Sequence, residues 1–489
     1  MHKRLFLLFC CGILLVGIAP APQTTSSDPQ TSALLPEFRD DLNDTSSWNR
    51  YSITAEIEPS KQILAGNLQL RYTNRDSVTL DRLYFRLFPN LADFAGRLEI
   101  SNVLLNNTSQ KVIYEQRRYL LRINLPQPLQ PGEQATINLD FRTTAPANAG
   151  RSYYGAFNLQ NSVFALASAY PIIAMVQNGT WDIAPPDTRG DLVNSETALY
   201  DVTLTAPTGW SLVTTGSAIG STPVGSKGEK IRTQLVSGPQ RDFMIVATRL
   251  PSLSADVDGT RVVSFYRAGD EAGGKAALQA AVNSIQVFNK RFGRYPLAEF
   301  EVIPVDAGSF LGVEYPGLTL IEQRLYRGNR DTLTTIIAHE VAHQWWYSLV
   351  GNDVQREPWV DEAMASYAQV IYAEEIQGAE AANAQLDQFR QTYRNLRAAG
   401  RDAAVGQPGV KIRSYYGVVY AKGALFFAAL RQQIGDEDFN SFLQNYYDTH
   451  RYGITTGSDI LASAEQACSC ELDPLYRDWI STTAPVTIP

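Results

Sequence analysis

The chain holds only four histidines in 489 residues, and two of them bracket the run His339-Glu340-Val341-Ala342-His343. Helical residues four apart share one face, about 5 to 6 Å apart, so both imidazoles can converge on one metal ion. Glu340 then stands beside that ion, and a further carboxylate, Glu362, follows after the 18 residues 344–361. Catalytic zinc takes three protein ligands and keeps a fourth position for water, whose proton a neighbouring carboxylate can remove. The spacing therefore predicts a catalytic zinc site with Glu340 as general base. A chance His-Glu-x-x-His on an exposed helix is the competing reading. The scarcity of histidine argues against it. So does the span Thr332 to Leu349, which lacks Pro and Gly and carries Leu333, Ile336, Ile337, Val341, Trp345 and Leu349. That apolar stripe predicts a buried helix able to hold ligands rigidly.

At 44% hydrophobic and 10% aromatic, a chain of this length can bury a sizeable core divided over two or three domains. Its net charge of -8, with no basic cluster, argues against a nucleic-acid partner. His2, Lys3 and Arg4 precede the apolar stretch Leu5 to Ala19, the layout of a secretory signal. The stretch is shorter than the roughly 20 residues of a membrane-spanning helix. Residues 1–21 are thus expected to be a signal peptide or, if uncleaved, an N-terminal anchor that tethers the chain to a membrane. The protein is expected to be exported: extracellular, periplasmic or held at the outer face of a membrane. Residues 22–48, rich in Pro, Gln, Ser, Thr and Asp, read as a flexible linker. Cys468 and Cys470 are too close for an ordinary unstrained disulfide, and two buried thiols are the equal alternative.

Residues 49–250 alternate apolar and polar positions, as in Leu83, Phe85 and Leu87, in Ile137, Leu139 and Phe141, and in Tyr200, Val202 and Leu204. With turn signals such as Gln130-Pro131-Gly132, this predicts an antiparallel, sandwich-like β domain. Residues 251–489 begin with mixed β and helical stretches and become almost entirely helical beyond Arg330, with helices expected near 360–375, 381–397, 420–433, 436–447, 458–467 and 474–482.

Taken together, His339-Glu340-x-x-His343, Glu362 inside Trp359-Val-Asp-Glu-Ala-Met-Ala-Ser-Tyr367, and Tyr420-Ala-Lys-Gly423 resemble the zinc aminopeptidases of the aminopeptidase N and leukotriene-hydrolase type. The resemblance continues more weakly from Gly66–Asn74, through Phe85–Asn90, to Asp478-Trp479. It implies a multidomain fold, an N-terminal all-β sandwich-like domain packed on an α+β thermolysin-like catalytic domain. It also implies one zinc ion per chain, with His339, His343 and Glu362 as metal ligands. Glu340 and Tyr420 become the catalytic pair, Tyr420 donating a hydrogen bond to the oxyanion.

The family's Gly-x-Met-Glu-Asn segment binds the substrate's free ammonium through its glutamate. Here it reads Leu311-Gly312-Val313-Glu314-Tyr315, so the resemblance assigns substrate binding to Glu314 while its neighbours depart from the pattern. The implied activity is a secreted metalloprotease, a hydrolase releasing N-terminal residues from peptide substrates. An endopeptidase or a hydrolase of non-peptide substrates on the same scaffold is the alternative, and a non-catalytic cell-surface binding module is disfavoured by the intact ligands, base and tyrosine. The sequence ends at Pro489, leaving no span for the long C-terminal helical domain of larger relatives, so a short form with a more open cleft is expected. His450 is expected to be exposed, and Trp345 and Trp346 to pack in the core.

Overall fold

The computed structural model describes residues 28–148, 152–308 and 310–489; the expected signal or anchor over residues 1–21 and the start of the linker, 22–27, lie outside them. The alternating strands of the N-terminal half build an eight-stranded sheet in the spatial order Ser217–Val224, Lys230–Gln240, Ala198–Pro207, Asn49–Glu58, Ile63–Thr73, Gln134–Thr144, Arg97–Leu105, Thr108–Ser109. Two four-stranded sheets accompany it. Period two decides which side chains face inward: along Asn49–Glu58 every second residue, Tyr51, Ile53, Ala55 and Ile57 among them, is buried. These join Leu83, Phe85, Ile137, Leu139, Tyr200 and Val202 in one core.

Residues 28–48 are not a free linker. The Gln30 side chain is fully buried, donating to the Tyr200 carbonyl at 3.0 Å and to Asp201 Oδ1 at 2.9 Å, while its Oε1 accepts the Gly238 N–H at 2.8 Å. Ala33, Leu34 and Leu35 are buried as well, and Leu35 N–H donates to the Pro296 carbonyl at 2.8 Å. The polar composition suggested a tether, but one satisfied glutamine and three apolar residues strap both halves of the molecule together.

The C-terminal half opens with a five-stranded mixed sheet, ordered Ser252–Val257, Thr260–Phe265, Glu299–Val305, Leu318–Glu322, Gly312–Tyr315. Helix α1 (Glu271–Arg291) crosses between the parallel strands Thr260–Phe265 and Glu299–Val305. The edge strand Gly312–Tyr315 lies along α2 (Arg330–Ala342). Then follow α3 (Trp359–Gln377), α4 (Ala379–Ala398), α5 (Gly423–Ile434), α6 (Asp436–His450) and α7 (Gly457–Cys468). None of the described helices is long and apolar enough to cross a membrane.

One detail departs from expectation. The motif helix stops at Ala342 with His343 as its cap, instead of reaching Leu349. Beyond it the chain folds into tight turns in which Ser348 N–H reaches the His343 carbonyl and Tyr347 takes φ 124°. The buried Arg241 guanidinium of the β half collects the carbonyls of Tyr347 and Leu349 that a continuing helix would have used itself, and the Gly453 carbonyl beyond α6 as well. Trp345 and Trp346 still bury against Phe292, as expected. Of the two equal readings of Cys468 and Cys470, the disulfide is the one found, at the exposed end of α7.

Candidate metal and active site

The last turn of α2 and the first turn of α3 cross where the motif requires. His339 Nε2 and His343 Nε2 are 3.2 Å apart, and Glu362 Oε2 lies 3.2 Å from the first and 3.4 Å from the second. A tetrahedral zinc site with bonds of about 2.05 Å has edges of about 3.3 Å, so the triangle matches a zinc ion in size, and its donor set of two imidazoles and a carboxylate matches in chemistry. All three side chains are buried.

Each ligand is aimed by a further contact. His343 Nδ1 faces the Trp346 carbonyl at 3.0 Å, which leaves Nε2 for the metal. His339 Nδ1 meets the Gln369 amide at 2.9 Å, and Gln385 on α4 donates to Gln369 at 3.1 Å. Asp361 accepts the Glu362 N–H at 2.9 Å. Against burial, which raises it, hydrogen bonds from the two imidazoles bring the Glu362 carboxyl down to about 2, so it remains an anion ready to ligate. Gln369 was not singled out in the sequence, although it stands seven positions, two turns, after Glu362 on the same face of α3, a spacing that could have revealed it.

Glu340 lies between the triad and the edge strand. Gly312 permits this, because a Cβ there would overlap the Glu340 carboxyl. Tyr420 sits in a π-helical turn, Tyr416–Lys422, that runs into α5, so this helical stretch begins before the expected position 420. Gly423 lets α5 approach Ala363 on α3, with 2.5 Å to the Ala363 Cβ for any side chain added. Lys422 is buried and anchors the turn through Asp402 Oδ1 at 3.0 Å and the Ala403 carbonyl at 2.9 Å. As a result the Tyr420 hydroxyl donates to Glu362 Oε1, on the far side of that carboxylate from the imidazoles.

Glu314 emerges from the edge strand into the same cavity, which measures about 870 Å³. It is 6% exposed and its Oε1 has no hydrogen-bond partner among the described residues. Beside it stands Asp191, contributed by the β half and invisible in the sequence because it lies in an irregular loop without periodicity. Burial pushes the carboxyls of Glu314 and Glu340 up to about 8, the charge of His343 opposing the rise in both. Burial and then the charges of Glu314 and Glu362 raise Asp191 well above the usual carboxylate range. Tyr154, Phe310 and Tyr415 line the wall nearby. His450 is half-buried against Tyr446 at the end of α6, outside the cavity.

His339, His343 and Glu362 together could hold one metal ion. Residues 276–479 match the Peptidase family M1 domain. Over 240 residues the chain is 25% identical to Aminopeptidase M1-A of Oryza sativa subsp. japonica, covering 45% of this chain and 27% of that protein. Over 163 residues it is 26% identical to Aminopeptidase N of Lactococcus lactis subsp. cremoris, covering 31% and 19%. The chain thus matches well under half the length of these relatives. An M1 zinc metallopeptidase from Deinococcus radiodurans shares the fold over 91% of this chain and 96% of its own, with a TM-score of 0.71 at 20% identity.

Proposed function

We propose that the protein is a zinc aminopeptidase that removes single residues from the free N-termini of peptides. The observation that carries this is the buried Glu314 carboxyl, whose Oε1 has no hydrogen-bond partner among the described residues and which with Asp191 forms an acidic corner next to the metal triad. Such a corner suits the ammonium of a peptide N-terminus and rejects an interior segment, which would leave the buried carboxylates unpaired. The substrate-bound neighbour from Deinococcus radiodurans, solved with Tyr-Ser-Ala, supports a peptide as ligand.

His339, His343 and Glu362 would hold the zinc, which when bound would supply Lewis-acid polarisation of the scissile carbonyl and a water acidic enough to be deprotonated near neutral pH. Glu314 and Asp191 fix the amine end. Glu340 takes the proton of the attacking water and delivers it to the departing amine, so that one water is consumed and one amino acid and a shortened peptide are released. Tyr420 turns its hydroxyl from Glu362 toward the developing oxyanion. Export, through the leader at residues 1–21, is part of the same proposal and is supported by the Cys468–Cys470 disulfide, since disulfides persist in oxidising compartments.

Zinc-loaded protein is expected to hydrolyse aminoacyl anilides with a free amine and to spare their N-acetylated forms, while Glu340→Gln, zinc retained, loses the activity. Equal rates on both substrates would favour the endopeptidase or general hydrolase reading instead.

A further inference from the structure

We infer that the cavity continues past the metal as a trench that binds the leaving part of the substrate over about four residues. The substrates would then be oligopeptides and unfolded N-terminal segments in preference to dipeptides. The inference rests on the aminopeptidase reading and adds the class of substrate.

The orientation follows from two sets of contacts. Gly312 meets Glu340, and three residues on the Tyr315 carbonyl accepts from Gln344 at 3.1 Å, so the edge strand and α2 run side by side in the same direction. Glu314, between these two contacts on the strand, accordingly lies toward the His343 end of the motif. The amine end of a substrate is therefore held at the C-terminal end of α2. What remains of the cavity extends the other way, back along α2 toward its first turn.

That stretch has two walls. On α2 the cavity-lining residues Asn329, Thr332 and Thr335 precede His339 at helical spacing, one face of the helix. On α4 the opposite wall presents Ala384, Gln385 and Gln388. From Asn329 to His339 is ten positions, about 15 Å along a helix, which an extended peptide at about 3.4 Å per residue crosses in roughly four residues. A volume of about 870 Å³ exceeds what one amino acid fills and lies in the upper range of ligand pockets.

The chemistry of the walls identifies the occupant. Amides and hydroxyls both donate and accept, so they can pair with peptide N–H and C=O groups whatever the sequence. Ala384 leaves room for the main chain. Among the described residues no cation lines this stretch to receive the C-terminal carboxylate of a short peptide, and the first-turn N–H groups of Asp331 and Thr332 are already bonded to the Asn329 side chain at 2.7 and 3.3 Å. The one charged group lining it among the described residues is Asp331, at the far end. A carboxylate three or four residues past the scissile bond would meet like charge, whereas a longer chain carries its own carboxylate out of the trench.

The test is a series of free-amine peptides from two to eight residues with a constant first residue, each as acid and as C-terminal amide, assayed with the zinc-loaded full chain. The expected result is a kcat/KM rising about three- to tenfold for each of the first three or four leaving residues, then levelling. Amides should exceed acids by about two- to fivefold when the C-terminus falls near Asp331, and match them in the octapeptide. A flat or falling series overturns the trench. Failure to cleave any member overturns the aminopeptidase reading itself, so the two failures are distinct. Ala384→Trp, at an exposed position of α4, narrows the trench; the octapeptide-to-dipeptide ratio should collapse toward one, and an unchanged ratio in a variant of parental melting temperature overturns the proposal.

Discussion

Glu314→Gln preserves side-chain shape and removes the carboxyl that can ionise against an incoming ammonium, which isolates the ammonium clamp from every other part of the site. Glu314 is 6% exposed and its Oε1 lacks a partner among the described residues. An ammonium placed there forms a charge-assisted hydrogen bond without displacing another contact. Such bonds contribute about 1.5 to 3 kcal/mol, and at about 1.4 kcal/mol per decade the whole range corresponds to about 10- to 150-fold in kcat/KM. Asp191 remains beside the amine in this variant, so the loss belongs at the lower end, about 10- to 30-fold. Because the clamp grips substrate and transition state alike, most of the loss should fall on KM. The assay compares aminoacyl and N-acetylaminoacyl anilides in parent and variant at equal zinc content. Only the free-amine substrate should suffer, shrinking the discrimination between the two by the same factor. Equal losses on both substrates, or no loss on either, would refute the reasoning.

Tyr420→Phe should lower kcat by about 10²- to 10³-fold at unchanged zinc content, measured by steady-state kinetics beside metal analysis. Gln369→Ala removes the group that orients His339 at 2.9 Å, and competition with a chelating dye should show zinc affinity reduced by about 10- to 100-fold; unaltered affinity would mean that packing alone aims the imidazole. Glu314 and Glu340 carry folded-state values near 8 against an ordinary 4.5. Below pH 4.5 both are protonated folded and unfolded, and their protonated forms favour the fold until pH rises through about 8. Chelator-treated protein should therefore lose melting temperature between pH 5 and 8, and Glu340→Gln should flatten part of that decline. A melting temperature that rose over the same interval would contradict the sign.

What the sequence exposed and what it concealed divide along the range of the interactions. His339 and His343 are fixed to one another by the helical period, and Glu362 is presented by the first turn of the next long helix, so the triad could be read from spacing. Tyr420 could be read only from its company: Lys422 anchors its turn and Gly423 lets that turn close on Ala363, next to Glu362. The halt of α2 at Ala342 could not be read, because residues 344–350 suit a helix and the group that diverts their carbonyls, Arg241, comes from a strand end of the other domain. Asp191 belongs to the same class, and so does Gln30, which turned a segment of disordered composition into a strap. The β half thus does more than support the catalytic half. Through Arg241 it holds the turn whose Trp346 carbonyl orients His343, and through Asp191 it completes the acidic corner that we propose receives the amine. A zinc site of this kind is legible in one helix and its successor, but the acidic corner proposed to select a substrate's end is assembled across the interface between domains, where a linear pattern leaves no trace.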